Sequence, residues 1–186
     1  MRALQISAYG DPLSVLELVD IPGPGALGMG EVLIDVELGP LNLHDLLFMR
    51  GFFGGPPAPT VVGNEGFGRV AAVGPRVTKL KVGDHVLAPN LSLTWRERLI
   101  APAQELFPLP EGDRAQLAQL GSNPPTAALI LSEYADLKPG DWVVQNAGNS
   151  GVGRSLIAIA KVRGIRTMSI VRRPELIDGG SRRGAH

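Results

Sequence analysis

A glycine-rich segment in the second half of the chain has residues that could hold a phosphate group. Residues 147–153 read Ala-Gly-Asn-Ser-Gly-Val-Gly, between a run typical of a buried strand (142–146) and a run typical of a helix (152–162). Glycine permits a tight turn and close approach to a pyrophosphate, and helix N-terminal amides attract that anion. The spacing differs from G-x-G-x-x-G. Its position after the strand nevertheless favours a dinucleotide-binding turn over an ordinary strand-to-helix turn.

Two adjacent arginines, Arg172 and Arg173, follow the next predicted strand, residues 167–171. In a nucleotide-binding βαβ unit this point lies beside the adenine ribose, where an acidic residue would accept the 2′-hydroxyl. Arginine suits a 2′-phosphate instead. The pair therefore favours NADPH over NADH, and two solvated arginines at a strand end are the alternative.

Composition excludes several other kinds of chemistry. The chain has no cysteine, so it has no disulfide, thiolate zinc site or cysteine nucleophile. Its three histidines are widely separated, and we expect no metal site. Eighteen basic residues balance eighteen acidic ones, which argues against nucleic acid as a partner. No apolar run approaches the ~20 residues of a membrane span, and the N-terminus lacks a signal-peptide pattern. We expect a soluble cytoplasmic protein that binds small molecules.

The first hundred residues read as short strands separated by glycine and proline turns, which predicts a barrel or a sandwich. One helix interrupts them over residues 43–49, with Asn42 as its N-cap. The predicted strands cover residues 3–9, 15–19, 31–38, 68–73, 85–88 and 95–101.

The pattern changes after residue 113, where helices are predicted over residues 115–120 and 126–134. The strand, turn, helix and strand that follow form a βαβ unit with a right-handed crossover. Two parallel strands with one crossover helix cannot cover both faces of a sheet. We therefore predict a mixed α/β chain with a β-rich domain over residues 1–118 and an incomplete nucleotide-binding unit over residues 119–186.

The segment from Gly63 to Val77 carries a family resemblance. It reads Gly-Asn-Glu-Gly-Phe-Gly-Arg-Val-Ala-Ala-Val-Gly-Pro-Arg-Val, and it resembles the medium-chain dehydrogenase/reductase superfamily at every motif position except Asn64. Alcohol dehydrogenases of that superfamily have a zinc-binding histidine there, and their cysteine ligand near residues 42–45 is also missing. The chain thus resembles the zinc-independent branch. This implies a chaperonin-10-like (GroES-like) β-barrel followed by a Rossmann unit.

Three further stretches resemble the trans-2-enoyl-thioester reductases of fatty acid synthesis: residues 93–97, 121–127 and 145–153. The resemblance implies NADPH-dependent reduction of the C=C bond of a 2-enoyl thioester. A quinone reductase and an inactive fragment or binding module are the alternatives. The implied cofactor contacts are Asn123, Asn149, Ser150, Gly151 and Val152, with Arg172 and Arg173 on the 2′-phosphate. In the family one residue separates the two arginines, whereas in this chain they are adjacent.

The position of the family's proton donor departs from the family pattern. Enoyl reductases carry a tyrosine in a Gly-x-Tyr context after the helix that residues 43–49 resemble, whereas this sequence has Phe53. Phenylalanine cannot donate a proton, and general acid catalysis is worth about 10²–10⁴-fold. Three interpretations are open: slow protonation by water, an acceptor such as a quinone that needs no donor, or an apolar pocket lined by Phe52 and Phe53.

The tail, residues 174–186, resembles the family's next helix and the Gly-Ala-x-His before its third strand. Complete relatives continue for well over a hundred residues and form homodimers. The resemblance therefore implies a C-terminally truncated chain, for which we do not expect the family's homodimer.

Overall fold

A computed structural model describes residues 1–173 of the chain. The chain divides into two compact units, one covering Met1–Ala118 and the other beginning at Gln119. The predicted helix of the tail lies outside the described residues. No helix among residues 1–173 is long and apolar enough to cross a membrane.

The first unit consists of two antiparallel sheets with short helices between their strands. One sheet has the strand order β2-β1-β4 and the other β6-β5-β3-β7. The elements are β1 (Arg2–Ile6), α1 (Pro12–Val15), β2 (Leu16–Asp20), β3 (Glu31–Leu38), α2 (Leu43–Met49), β4 (Thr60–Val61), β5 (Phe67–Val73), β6 (His85–Leu87), β7 (Arg98–Pro102), a 3-10 turn (Ala103–Glu105) and α3 (Arg114–Leu117).

The core of the larger sheet forms around β3, which pairs with β5 and β7. Val32 and Ile34 of β3 are completely buried, as the alternating pattern of this strand predicts. A Cβ added at Gly68 of β5 would overlap the main-chain oxygen of Asp35 in β3. Glycine is therefore required here because the two backbones approach too closely for any side chain.

The predicted strand over residues 95–101 is divided between the two sheets. Arg98–Pro102 pairs with β3. The backbone of Trp95 instead accepts a hydrogen bond from Leu4 and donates one to Val62, at 2.8 and 2.9 Å. The predicted strand over residues 15–19 is shifted for a local reason, because Pro12 starts a helical turn that ends at Val15.

The second unit contains α4 (Asn123–Glu133), β8 (Trp142–Asn146), α5 (Gly151–Val162) and β9 (Arg166–Ile170). Strands β8 and β9 are parallel, with Trp142 opposite Arg166. Helix α4 begins three residues before the predicted start at 126, because prolines are tolerated in the first turn of a helix. Asn123, predicted to contact a cofactor, is consequently the first residue of this helix.

Helices α4 and α5 pack together over a small apolar core made by Ala127, Leu131, Leu156, Ala160 and Ile165. The opposite face of the sheet is formed by Trp142, Val144, Met168 and Ile170, whose exposed fractions lie between 54% and 61%. One crossover helix thus covers one face only, as predicted from the strand count.

Candidate functional site

The turn between β8 and α5 presents the start of a helix at the carboxyl end of a strand. Ser150 is the N-cap of α5, and its Oγ accepts a hydrogen bond from the amide of Gly153 at 3.0 Å. Helix geometry leaves the amides of Gly151 and Val152 without intrahelical acceptors. Together with the positive end of the helix dipole, these two donors suit an anion such as a diphosphate.

The glycines of this turn permit its tight closure, as the sequence predicted. A Cβ at Gly148 would overlap Ser169 of β9, and a Cβ at Gly153 would lie 2.7 Å from the oxygen of Ala147. Ala147 itself has a left-handed φ of 48°. These two glycines therefore allow the turn to close on its own strand and helix, and the backbone amides remain the anion-binding feature.

Asn123 contacts the start of α5. Its side chain is buried, and Nδ2 donates to Oε1 of Gln119 at 2.6 Å. A Cβ at Gly151 would lie 2.6 Å from Nδ2 of Asn123. The structure thus brings Asn123 together with Gly151, and so with the neighbouring residues Asn149, Ser150 and Val152 that were predicted with it.

Gln145 connects the parts of this site, and its structural role was missed in the sequence. Its Nε2 donates to the oxygen of Gly153 at 3.2 Å and to Oγ of Ser169 at 3.0 Å. These contacts join β8, α5 and β9. The available signal was a polar residue at an inward position of a predicted buried strand, because such a residue requires partners.

A cleft of about 560 Å³ lies at this end of the second unit, lined among others by Gln145, Ala147, Val152 and Ile170. Its size is within the usual range for small-molecule sites. Arg172 and Arg173 follow β9, and both are exposed. The helix-start amides beside this cleft suit a dinucleotide, and the residues that line the cleft do not include the two arginines.

In the first unit, Phe53 stacks on His44. The ring centroids are 4.7 Å apart and the planes are inclined by 14°. Phe53 is 53% exposed, and it lies in a turn between Gly51 and Gly54, which both have positive φ. Phe52 contacts Phe53 edge-on and is also exposed. This stacking could not be predicted from the sequence, because the spacing of positions 44 and 53 does not indicate contact.

A buried polar cluster occupies the positions where the family resemblance places zinc ligands. Asp45 accepts hydrogen bonds from the amides of Asn42 (2.7 Å) and Asn64 (3.0 Å). Asn42 Nδ2 donates to Oε2 of Glu65. Burial raises the pKa of Glu65, and the charge of Asp45 adds to this, while the hydrogen bond from Asn42 opposes it. No group of three or more His, Cys, Asp or Glu side chains within residues 1–173 is arranged to hold a metal ion.

The first glycine of the motif at residues 63–77 packs closely against Trp95. Gly63 has a φ of 103°, and a Cβ there would lie 2.6 Å from the amide nitrogen of Trp95 and would overlap its indole ring. Gly39 flanks the same indole, since a Cβ there would lie 3.0 Å from Nε1. This packing fixes the backbone that leads into Asn64 and Glu65.

Comparison with known proteins agrees with this architecture. The alcohol dehydrogenase GroES-like domain matches residues 28–111. The first unit thus matches the GroES-like domain of alcohol dehydrogenases, and the chain is similar to members of the medium-chain dehydrogenase/reductase superfamily. The prediction of a mixed α/β fold is confirmed.

Within this superfamily the chain is similar to enoyl-thioester reductases. The mitochondrial enoyl-[acyl-carrier-protein] reductase of Homo sapiens is 41% identical over 180 residues, which are 95% of this chain and 48% of that protein. The enzyme of the same name from Caenorhabditis elegans is 38% identical, over 92% of this chain and 51% of that protein. The chain spans about half the length of these relatives.

Solved structures give the same result. A mitochondrial 2-enoyl thioester reductase heterodimer from Candida tropicalis matches with a TM-score of 0.87 and 28% identity, over 99% of this chain and 58% of that one. A complex of Etr1p with NADP and crotonyl-CoA matches with a TM-score of 0.84 and 29% identity, over 99% of this chain and 58% of that one. A quinone oxidoreductase from Pseudomonas syringae pv. Tomato matches with a TM-score of 0.85 and 31% identity, over 99% of this chain and 57% of that one.

Proposed function

We propose that this chain supports the NADPH-dependent reduction of the C=C bond of an α,β-unsaturated carbonyl compound, with a 2-enoyl thioester as the substrate. The observation that carries the proposal is the capped start of α5 after β8, with Asn123 packed against it. Similarity to proteins named enoyl-[acyl-carrier-protein] reductases supports the substrate class. A solved relative in complex with NADP and crotonyl-CoA supports the cofactor.

The second unit would hold the cofactor. The amides of Gly151 and Val152 suit the diphosphate, and Asn149, Ser150 and Asn123 would contact the cofactor beside them. Arg172 and Arg173, after β9, would bind the 2′-phosphate through charge-assisted hydrogen bonds. When bound, NADPH supplies a hydride for the β-carbon of the substrate.

The first unit would contact the substrate near Phe53. The side chains of Leu43, Phe52 and Phe53 are more than half exposed. They offer an apolar surface to the hydrocarbon part of an enoyl group. Phe53 itself has no proton to give.

A quinone is the alternative acceptor, and one observation favours it specifically. Phe53 lacks the hydroxyl of the family's proton donor, and reduction of a quinone does not need that group. The match to a quinone oxidoreductase at 31% identity supports this reading.

The cofactor and the acceptor are tested separately. NADPH titration followed by nicotinamide fluorescence should show saturable binding that is stronger than NADH binding. Oxidation of NADPH should then be followed with crotonyl-CoA and with a quinone. The absence of saturable binding would contradict the cofactor assignment. Binding without turnover of either acceptor would reduce the proposal to a nucleotide-binding module.

The compartment and the assembly remain predictions. The sequence predicts a cytoplasmic protein, whereas the curated relatives are named as mitochondrial. One similar solved structure is a heterodimer, and we do not expect the homodimer of complete family members for this chain. Imaging of a fluorescent fusion and light scattering of the purified chain test these two points.

A further inference from the structure

The imidazole of His44 is placed beside the ring that replaces the family's proton donor. His44 is the second residue of α2, and its ring lies nearly parallel to Phe53 at a centroid distance of 4.7 Å. A ring nitrogen of His44 therefore lies in the same neighbourhood as the hydroxyl that a tyrosine at position 53 would carry.

The Nε2 atom of His44 has no assigned role in the fold. It is buried, and it has no hydrogen-bond partner among the described residues. A buried polar atom without a partner costs free energy. An apolar side chain would stack on Phe53 equally well without this cost, so the stacking alone does not explain a histidine here.

The start of α2 does not need His44 either. Asp45 accepts a hydrogen bond from the amide of Asn42, and the amide of Asp45 donates to the oxygen of Asn42 at 3.1 Å. These contacts secure the first turn through its N-cap and third residue. His44 is thus free of any capping function, and its imidazole is available for chemistry.

Tyr9 also carries a hydroxyl proton near this turn, but its hydroxyl already makes a hydrogen bond. The hydroxyl of Tyr9 donates to the main-chain oxygen of Pro56 at 2.6 Å, and the Tyr9 ring packs edge-on against Phe48. The Tyr9 hydroxyl is thus occupied by a main-chain acceptor outside the Gly51–Gly54 turn, and Tyr9 provides a matched control for His44.

We propose that His44 donates the proton to the α-carbon of the substrate, in place of the tyrosine whose position Phe53 occupies. This inference rests on the proposed function. Once the β-carbon has received a hydride, the substrate carries an enolate charge. The Nε2–H bond of the imidazolium breaks, a C–H bond forms at the α-carbon, and the electron pair stays on Nε2. Water then protonates the neutral imidazole again.

The Phe53 ring beside the imidazole is free to move at little cost. The Phe53 ring covers one face of the imidazole, but it is 53% exposed and belongs to a surface turn. Moving this ring would lose little buried apolar area. The proposal requires that the substrate displaces Phe53 from this turn to reach the imidazole.

The test combines loss and rescue of activity in the full chain. With NADPH and crotonyl-CoA, His44→Gln should lower kcat by about 10²-fold or more, as expected for loss of a general acid. Adding Phe53→Tyr to His44→Gln should restore much of kcat, because a hydroxyl returns to the family's position. Tyr9→Phe should leave kcat within about twofold of the wild type.

A purely structural role for His44 gives a different result, because a hydroxyl at position 53 would not repair it. Unchanged kcat in His44→Gln, or no recovery in the double variant when circular dichroism shows it folded, would overturn the proposal. A second readout does not depend on turnover. In NMR spectra of the labelled chain, crotonyl-CoA should shift the imidazole resonances of His44 and leave those of His85 unchanged.

The NMR readout also separates the two proposals. If the wild-type chain reduces neither crotonyl-CoA nor a quinone, the proposed function fails on its own. A shift of His44 would still support its place at the substrate, and the absence of a shift would refute it.

Discussion

The side chain of Asn123 lies directly against Gly151, so that the first residue of α4 meets the first residue of α5. Any Cβ at Gly151 would come within 2.6 Å of Nδ2 of Asn123. The glycine-rich turn between β8 and α5 is therefore held from outside its own segment, by a residue that comes before the βαβ unit in the sequence.

Replacing Gly151 by alanine should weaken NADPH binding. The new Cβ must displace Asn123, and overpacking of this kind costs about 1–3 kcal/mol. We expect the Kd for NADPH to rise on the order of tenfold or more, measured by nicotinamide fluorescence. Gly25→Ala is the matched control, because nothing lies within 4 Å of a Cβ at that position. An unchanged Kd in Gly151→Ala would contradict the role of this contact.

Replacing Arg172 or Arg173 by alanine should reduce the preference for NADPH over NADH. A charge-assisted hydrogen bond contributes about 1.5–3 kcal/mol, so the Kd for NADPH should rise by about 10- to 100-fold while that for NADH changes little. Titrating both cofactors against each variant also identifies which arginine contacts the 2′-phosphate. Lys161→Ala, an exposed change near the other end of α5, serves as the control. Equal losses for both cofactors would exclude a 2′-phosphate contact.

Replacing Gly68 by alanine should destabilise the first unit. The methyl group would collide with the main-chain oxygen of Asp35, and neither strand can move without breaking the β3–β5 pairing. We expect a loss of about 3 kcal/mol or more of unfolding free energy, at or above the upper end for overpacked sites. Urea denaturation monitored by tryptophan fluorescence measures it, with Gly25→Ala again as the control.

Replacing Glu65 by glutamine should change how stability depends on pH. The pKa of Glu65 is raised above its usual 4.5, mainly by burial. Its protonated form thus stabilises the fold fully below that value, and this contribution is lost as the pH rises through the folded-state pKa. Glutamine stays neutral.

The wild type should therefore lose Tm relative to Glu65→Gln as the pH rises from below 4.5 towards neutrality. Thermal unfolding of both proteins at several pH values measures this difference. Glu17→Gln, on an exposed position of β2, should show no such trend. A Tm difference between the wild type and Glu65→Gln that is independent of pH would contradict the raised pKa.

Elements whose signals are local were predicted from the sequence with their bounds. Strand β3 follows from its alternating pattern, and α2 from its apolar residues after Asn42. Strand β8 follows from its apolar run before the glycine-rich turn. The family resemblance and the missing zinc ligands were also readable from the sequence, because they depend on residue types at fixed spacing within short segments.

The tertiary structure alone decided the contacts between distant segments. It divided residues 95–102 between two sheets, because Trp95 pairs with the backbone of Leu4 and Val62 while Arg98–Pro102 pairs with β3. It placed His44 on Phe53, and Asn123 on Gly151. Local propensity and periodicity act between neighbours in the chain, whereas these pairs meet only when whole elements pack. The sequence by itself therefore determined the family resemblance and the local elements, and the packing decided which side chains lie together.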